Sequence, residues 1–73
     1  MTVKNLLDTL NVYAGEEVQV EVYKKGIQIF DNNYYNIFLL DDEVLNKKLD
    51  CFFIDSVCSG FYILKLFIDE CVS

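Results

Sequence analysis

The stretch from Leu49 to Asp69 carries 14 apolar residues among its 21, and they fall on both alternating faces. A strand with one wet face shows apolar residues at every second position only. Ser59-Gly60 divides this stretch into two strands joined by a tight turn. In the strand from Phe61 to Asp69, Tyr62, Leu64, Leu66 and Ile68 fall on one face. Phe61, Ile63, Lys65 and Phe67 fall on the other. Leu49 to Val57 reads similarly, with Phe52 and Ile54 on one side and Leu49, Cys51, Phe53 and Val57 on the opposite side. A sheet built on this hairpin needs cover on both faces. Three arrangements supply it. The segment Tyr34 to Leu45 folds across the second face, the sheet curls toward a small barrel, or the second face meets another molecule.

The first half of the chain supplies cover for one face. Thr2 is placed as a helix N-cap, and Val3, Leu6, Leu7 and Leu10 recur at helical spacing. Asn5 and Asp8 point away from that stripe, and Asn11 and Gly15 are the candidate stops. Glu17 to Tyr23 alternates as a half-buried strand, with Val18, Val20 and Val22 inward and Gln19, Glu21 and Tyr23 outward. Lys24-Lys25-Gly26 turns the chain into a second strand, Ile27 to Asp31, whose isoleucines Ile27 and Ile29 are expected to join the valines. Asp31-Asn32-Asn33 signals a turn. Tyr34 to Leu40 fits a short strand or an irregular packed loop. Asp41-Asp42-Glu43 places acids in the first turn of a short helix, with Lys47 and Lys48 in its last turn. The expected fold is α+β. A short N-terminal helix packs on a four-stranded, mainly antiparallel sheet of two hairpins, flat or curled toward a small barrel, in a single domain over residues 1–73.

The available side chains exclude most chemistry. The 73 residues contain no histidine, and all six basic residues are lysines. Histidine is the usual general base and metal ligand near neutral pH, and arginine the usual bidentate clamp for phosphate. Asp31-Asn32-Asn33 resembles the start of a calcium loop, but Asn36 stands where that loop needs glycine and Asp42 where it needs a bidentate glutamate. Cys51, beside Phe52 and Phe53, reads as a small core residue; Cys58 lies near the turn, and Cys71 lies in the tail. None has an activating base, and the three glycines form no phosphate loop. The chain is therefore expected not to be an enzyme and to hold no cofactor or metal. Three cysteines cannot all pair within one chain, and Met1 to Asn5 opens no secretory leader pattern. A reducing, cytoplasmic location with free thiols is expected. No apolar run is long enough for a membrane span.

The formal net charge of -6 repels nucleic acid and anionic lipid and attracts a basic protein surface. Lys24-Lys25 and Lys47-Lys48 read as solvated turn and helix-end residues.

The opening Thr2-Val3-Lys4-Asn5-Leu6-Leu7-Asp8-Thr9-Leu10, the run Val18-x-Val20-x-Val22-Tyr23-x-x-Gly26 and the closing hydrophobic hairpin resemble small acidic proteins of phages and mobile elements from low-GC Gram-positive bacteria. The abundance of Asn, Lys, Ile, Tyr and Phe, whose codons are rich in A and T, agrees with such a source. The resemblance covers most of the chain and rests on hydrophobic pattern and a turn glycine. It implies a helix, a hairpin, an acidic linking segment and a second hairpin. It carries no residue-level role. It also implies a manner of action, since small acidic phage proteins, anti-CRISPR inhibitors and other DNA mimics among them, often occupy the basic, nucleic-acid-binding surface of a host protein.

The expected function is thus a non-enzymatic protein-binding module, an inhibitor of a host defence or nucleic-acid enzyme. The alternative is a structural or accessory homodimer whose second sheet face is its own interface. Phe61, Ile63 and Phe67 are the expected apolar contact, and Asp41, Asp42 and Glu43 the acidic contact.

Overall fold

The computed structural model describes residues 1–10, 12 and 15–70. Helix α1 spans Val3–Thr9. Strands β1 (Glu17–Lys24) and β2 (Ile27–Asn33) follow. A 3-10 helix runs over Tyr34–Leu39, and a single turn of helix, α2, over Asp42–Leu45. Strands β3 (Leu49–Cys58) and β4 (Phe61–Ile68) complete the fold. The four strands form one sheet in the order β2-β1-β4-β3. Both hairpins are antiparallel, and the central β1–β4 pairing is parallel. The architecture is α+β with an open, mixed sheet, so the barrel alternative does not hold.

Seven residues make a marginal helix in isolation, and α1 is fixed at both ends of the energy scale. The Thr2 hydroxyl accepts from the Asn5 N–H at 3.1 Å, and the Asn5 side-chain oxygen accepts from the Thr2 N–H at 3.0 Å. This is a reciprocal capping box with asparagine in the usual glutamate role. Val3, Leu6 and Leu7 then bury their side chains on the sheet. Met1 and Val3 also bind the backbone of Leu49 and Lys47, so the helix start is tied to the entry of β3.

The core consists of Val3, Leu6, Leu7, Val20, Val22, Leu40, Leu49, Leu64, Leu66 and Ile68. Tyr34, Ile37, Val44 and Leu45 pack against the same cluster. The chain leaves the sheet at β2, on one edge, and re-enters at β3, on the other. Its crossover passes over the face that α1 already covers. The segment Tyr34 to Leu45 therefore thickens the first layer and leaves the second face bare, contrary to the first of the three arrangements.

Local differences from the alternation pattern come from bulges and turn chemistry. Leu49 pairs with Ile68 and Cys51 with Phe67, so Asp50 is an extra residue. The bulge rotates Leu49 onto the helix face, where it is buried, and away from Cys51 and Phe53. Cys51 is exposed rather than a core residue, and Cys58 is exposed too; both are free thiols. Cys71 and Asn11 lie outside the described residues. In β2 a second bulge falls at Ile29, because Val22 pairs with Phe30 while Tyr23 pairs with Gln28. Phe30 packs on the core, and Ile27 and Ile29 are exposed, not buried beside the valines. Asp31 and Asn32 continue β2. The turn begins at Asn33, whose side chain accepts from the Tyr35 N–H and caps the 3-10 helix. Helix α2 ends at Leu45, so Lys47 and Lys48 lie beyond it, and Lys48 forms an isolated bridge with Thr2.

Candidate functional site: the open sheet face

Cross-strand register arranges the bare face. One row reads Asp31, Glu21, Lys65, Phe53 from β2 to β3. The next toward the Gly26 end reads Gln28, Tyr23, Phe67, Cys51. In the opposite direction lie Asn33, Gln19, Ile63, Asp55, and then Glu17, Phe61, Cys58. β4 thus supplies an apolar spine of Phe61, Ile63 and Phe67, all half-buried.

Aromatic contacts order one end of that spine. The rings of Tyr23 and Phe67 stack at 5.1 Å with planes 15° apart. Phe53 meets Phe67 edge-on at 5.7 Å. Tyr23 donates its hydroxyl to the Glu21 carboxylate at 2.7 Å. That hydrogen bond, with partial burial and the charges of Glu21 and Asp31, raises the phenol above its ordinary value of 10.0.

Carboxylates rim the spine on both sides. Glu17, Glu21 and Asp31 lie on the β1–β2 side and Asp55 on β3. Gln19 donates to Asp31, and Lys65 pairs with Asp55 at 3.5 Å. With one lysine against four acids, the face has a formal charge of -3. Lys65 interrupts the apolar spine between Ile63 and Phe67, so the face has an aromatic end around Phe67, a charged middle row of Glu21 and Lys65, and acidic flanks.

The expected site is divided by the fold. Phe61, Ile63 and Phe67 share the open face. Asp41, Asp42 and Glu43 sit at the start of α2, whose Val44 and Leu45 pack into the core from the opposite layer. The two groups of residues face opposite sides of the sheet and do not form one contact surface. The acids that accompany the apolar spine are Glu17, Glu21, Asp31 and Asp55. The polar positions of β1 carried the signal for the first two, since they alternate with the valines.

The lysine doublets behave unexpectedly. Lys24, Lys25, Lys47 and Lys48 surround one open cleft of about 560 Å³ with Asp50 and Asp69. Asp69 lies 3.4 Å from the Lys47 ammonium and 3.8 Å from that of Lys24. The parallel β1–β4 pairing causes this convergence by bringing Lys24 beside Ile68. Among the described residues, no three Asp, Glu or Cys side chains converge as a metal site. No helix among them is long and apolar enough to cross a membrane. The chain matches no known family model, no curated protein and no solved structure.

Proposed function

We propose that this chain is a non-enzymatic protein-binding module that docks a basic protein surface on its open sheet face. The observation that supports the reading is the aromatic cluster of Tyr23, Phe53 and Phe67 on a face where Phe61 and Ile63 continue beyond Lys65 and four carboxylates outnumber that one lysine. Interfaces commonly have an apolar, aromatic centre and a polar rim. The rim here selects partners by charge and steers their approach, and the centre supplies affinity. A surface built to hold nucleic acid meets the charge requirement, and inhibition of a nucleic-acid enzyme in a phage setting is the biological form proposed.

A photo-crosslinking amino acid at Phe53 tests this reading, with Asp8 on the exposed side of α1 as the control position. In cells, Phe53 is expected to capture a basic protein that Asp8 does not. Equal capture at both positions, or none at Phe53, defeats the reading.

A further inference from the structure

We propose that a second copy of this chain pairs with strand β3 edge to edge, in antiparallel register about a twofold axis at Ile54. This does not depend on what the open face binds.

β3 lies at an edge of the sheet and is exposed throughout after Leu49. Its free backbone groups follow from two hydrogen bonds. Gly60 and Ile68 both turn their carbonyls toward β1, accepting from Glu17 at 2.7 Å and Lys25 at 3.3 Å. The even positions of β4 therefore serve β1, and the odd positions, Ile63, Lys65 and Phe67, serve β3. Their partners Asp55, Phe53 and Cys51 face inward. Phe52, Ile54 and Ser56 consequently direct their N–H and C=O groups outward. Between the bulges at its two ends, β3 is regular over this stretch. Over Phe52 to Ser56 no bulge blunts the edge. It contains no proline, and its acids are occupied within the chain, Asp55 by Lys65 and Asp50 by the Glu70 N–H.

Only one symmetric register uses all three outward residues. Ile54 faces its own copy, and Phe52 faces Ser56 of the other chain. The side chains fit that register. On the helix face a groove of about 230 Å³ is lined by Leu10, Glu16, Val18, Ile54, Tyr62 and Leu64. Ser56, opposite Tyr62, is the small residue at its β3 border. Phe52 from the second copy lies directly across Ser56 and can lean over it into the groove. The twofold repeats this contact, so projection and groove are both supplied by the same chain. The three outward residues Phe52, Ile54 and Ser56 are uncharged, and Glu16 is the one charged residue lining the groove.

Phe52 is 42% exposed, and Phe53, Ile54 and Val57 are each 57% exposed. At ~150–250 Å² per aromatic side chain, these leave on the order of 350–400 Å² of side chain open per copy. Even full burial of these side chains in both copies, about 700–800 Å², stays below the ~1,000 Å² of a stable specific interface, so the pairing is weak. The dimer therefore forms as concentration rises. β2, the other edge, is interrupted at mid-strand by its bulge at Ile29, so open-ended β3–β2 stacking is disfavoured.

Sedimentation velocity over a wide concentration range tests the proposal. The wild-type mass is expected to rise from 8.5 kDa toward twice that value. Ile54→Lys, which places two ammonium groups on the axis, is expected to keep the chain monomeric with an unchanged circular dichroism spectrum. Ile27→Lys, at an exposed position on the opposite edge strand β2, is expected to dimerise as wild type does. Ile54→Cys combined with Cys51→Ser, Cys58→Ser and Cys71→Ser should crosslink on oxidation, because facing hydrogen-bonded residues lie about 5.5 Å apart, within disulfide range. Phe52→Cys in the same background should not. A wild-type monomer at every concentration overturns the proposal, as does a dimer that survives Ile54→Lys or is lost only with Ile27→Lys.

Discussion

Phe67 stacks on Tyr23 at 5.1 Å across the parallel β1–β4 pair, which joins the two hairpins. The same ring receives the edge of Phe53 from β3. Phe67 therefore links three strands through side chains on a face that no helix covers. Aromatic pairs contribute ~0.5–1.5 kcal/mol each beyond area burial. Phe67→Ala loses two such pairs and Phe53→Ala one. In urea unfolding, Phe67→Ala is expected to show the larger loss of stability; equal losses would mean that the stack with Tyr23 contributes nothing.

Tyr23 gives a pH signature. Its phenol is raised above the ordinary 10.0, chiefly by donation to Glu21. A raised value in the folded state means that folding favours the protonated phenol. The associated stability is complete below the unfolded value and disappears as pH rises through the higher folded one. The difference in tyrosinate absorbance between wild type and Tyr23→Phe should titrate above the normal tyrosine range. Glu21→Gln should bring that titration down, and an unchanged midpoint would refute the assignment.

The first hairpin turn is chemically suboptimal. Lys25 and Gly26 both have positive φ, 53° and 78°, the combination of a type I′ turn. Lysine has no particular aptitude for that conformation, whereas asparagine does. Lys25→Asn is expected to stabilise the fold by about 0.5–1 kcal/mol, and Gly26→Ala to destabilise it by about 1–2 kcal/mol. Thermal melting of the two variants should show shifts of opposite sign.

Leu66 is wholly buried at the centre of the sheet. Truncation to alanine in a packed core costs ~2–5 kcal/mol, against the ~3–5 kcal/mol that a core of this size supplies. Leu66→Ala is expected to be largely unfolded at room temperature by circular dichroism. A cooperative melt close to wild type would show that the core has reserves beyond its size.

The elements were legible in the sequence because each depends on local pattern: Thr2 before a leucine stripe, valines at alternate positions, glycines at two turns. Alternation also separated Leu64, Leu66 and Ile68 from Phe61, Ile63 and Phe67 correctly. It failed where one residue is inserted. The bulge at Asp50 carries Leu49 to the helix face, and that at Ile29 leaves both isoleucines of β2 in solvent. No pattern of period two can register such a shift. The separation of Asp41, Asp42 and Glu43 from the apolar spine was hidden for another reason. It follows from the crossover path between opposite sheet edges, and strand order is a property of the whole chain. The meeting of Lys24 with Lys47 has the same origin.

The central parallel pairing has a consequence for biogenesis. Glu17 pairs with Phe61, 44 positions later (61 minus 17), and Lys24 pairs with Ile68. A growing polypeptide can close its first hairpin early, but the inner edge of β1 has no partner until β4 has been synthesised. Such distant contacts make folding slow. A ribosome stalled before β4 therefore displays a hairpin with an unsatisfied inner edge, a natural substrate for chaperones or proteases.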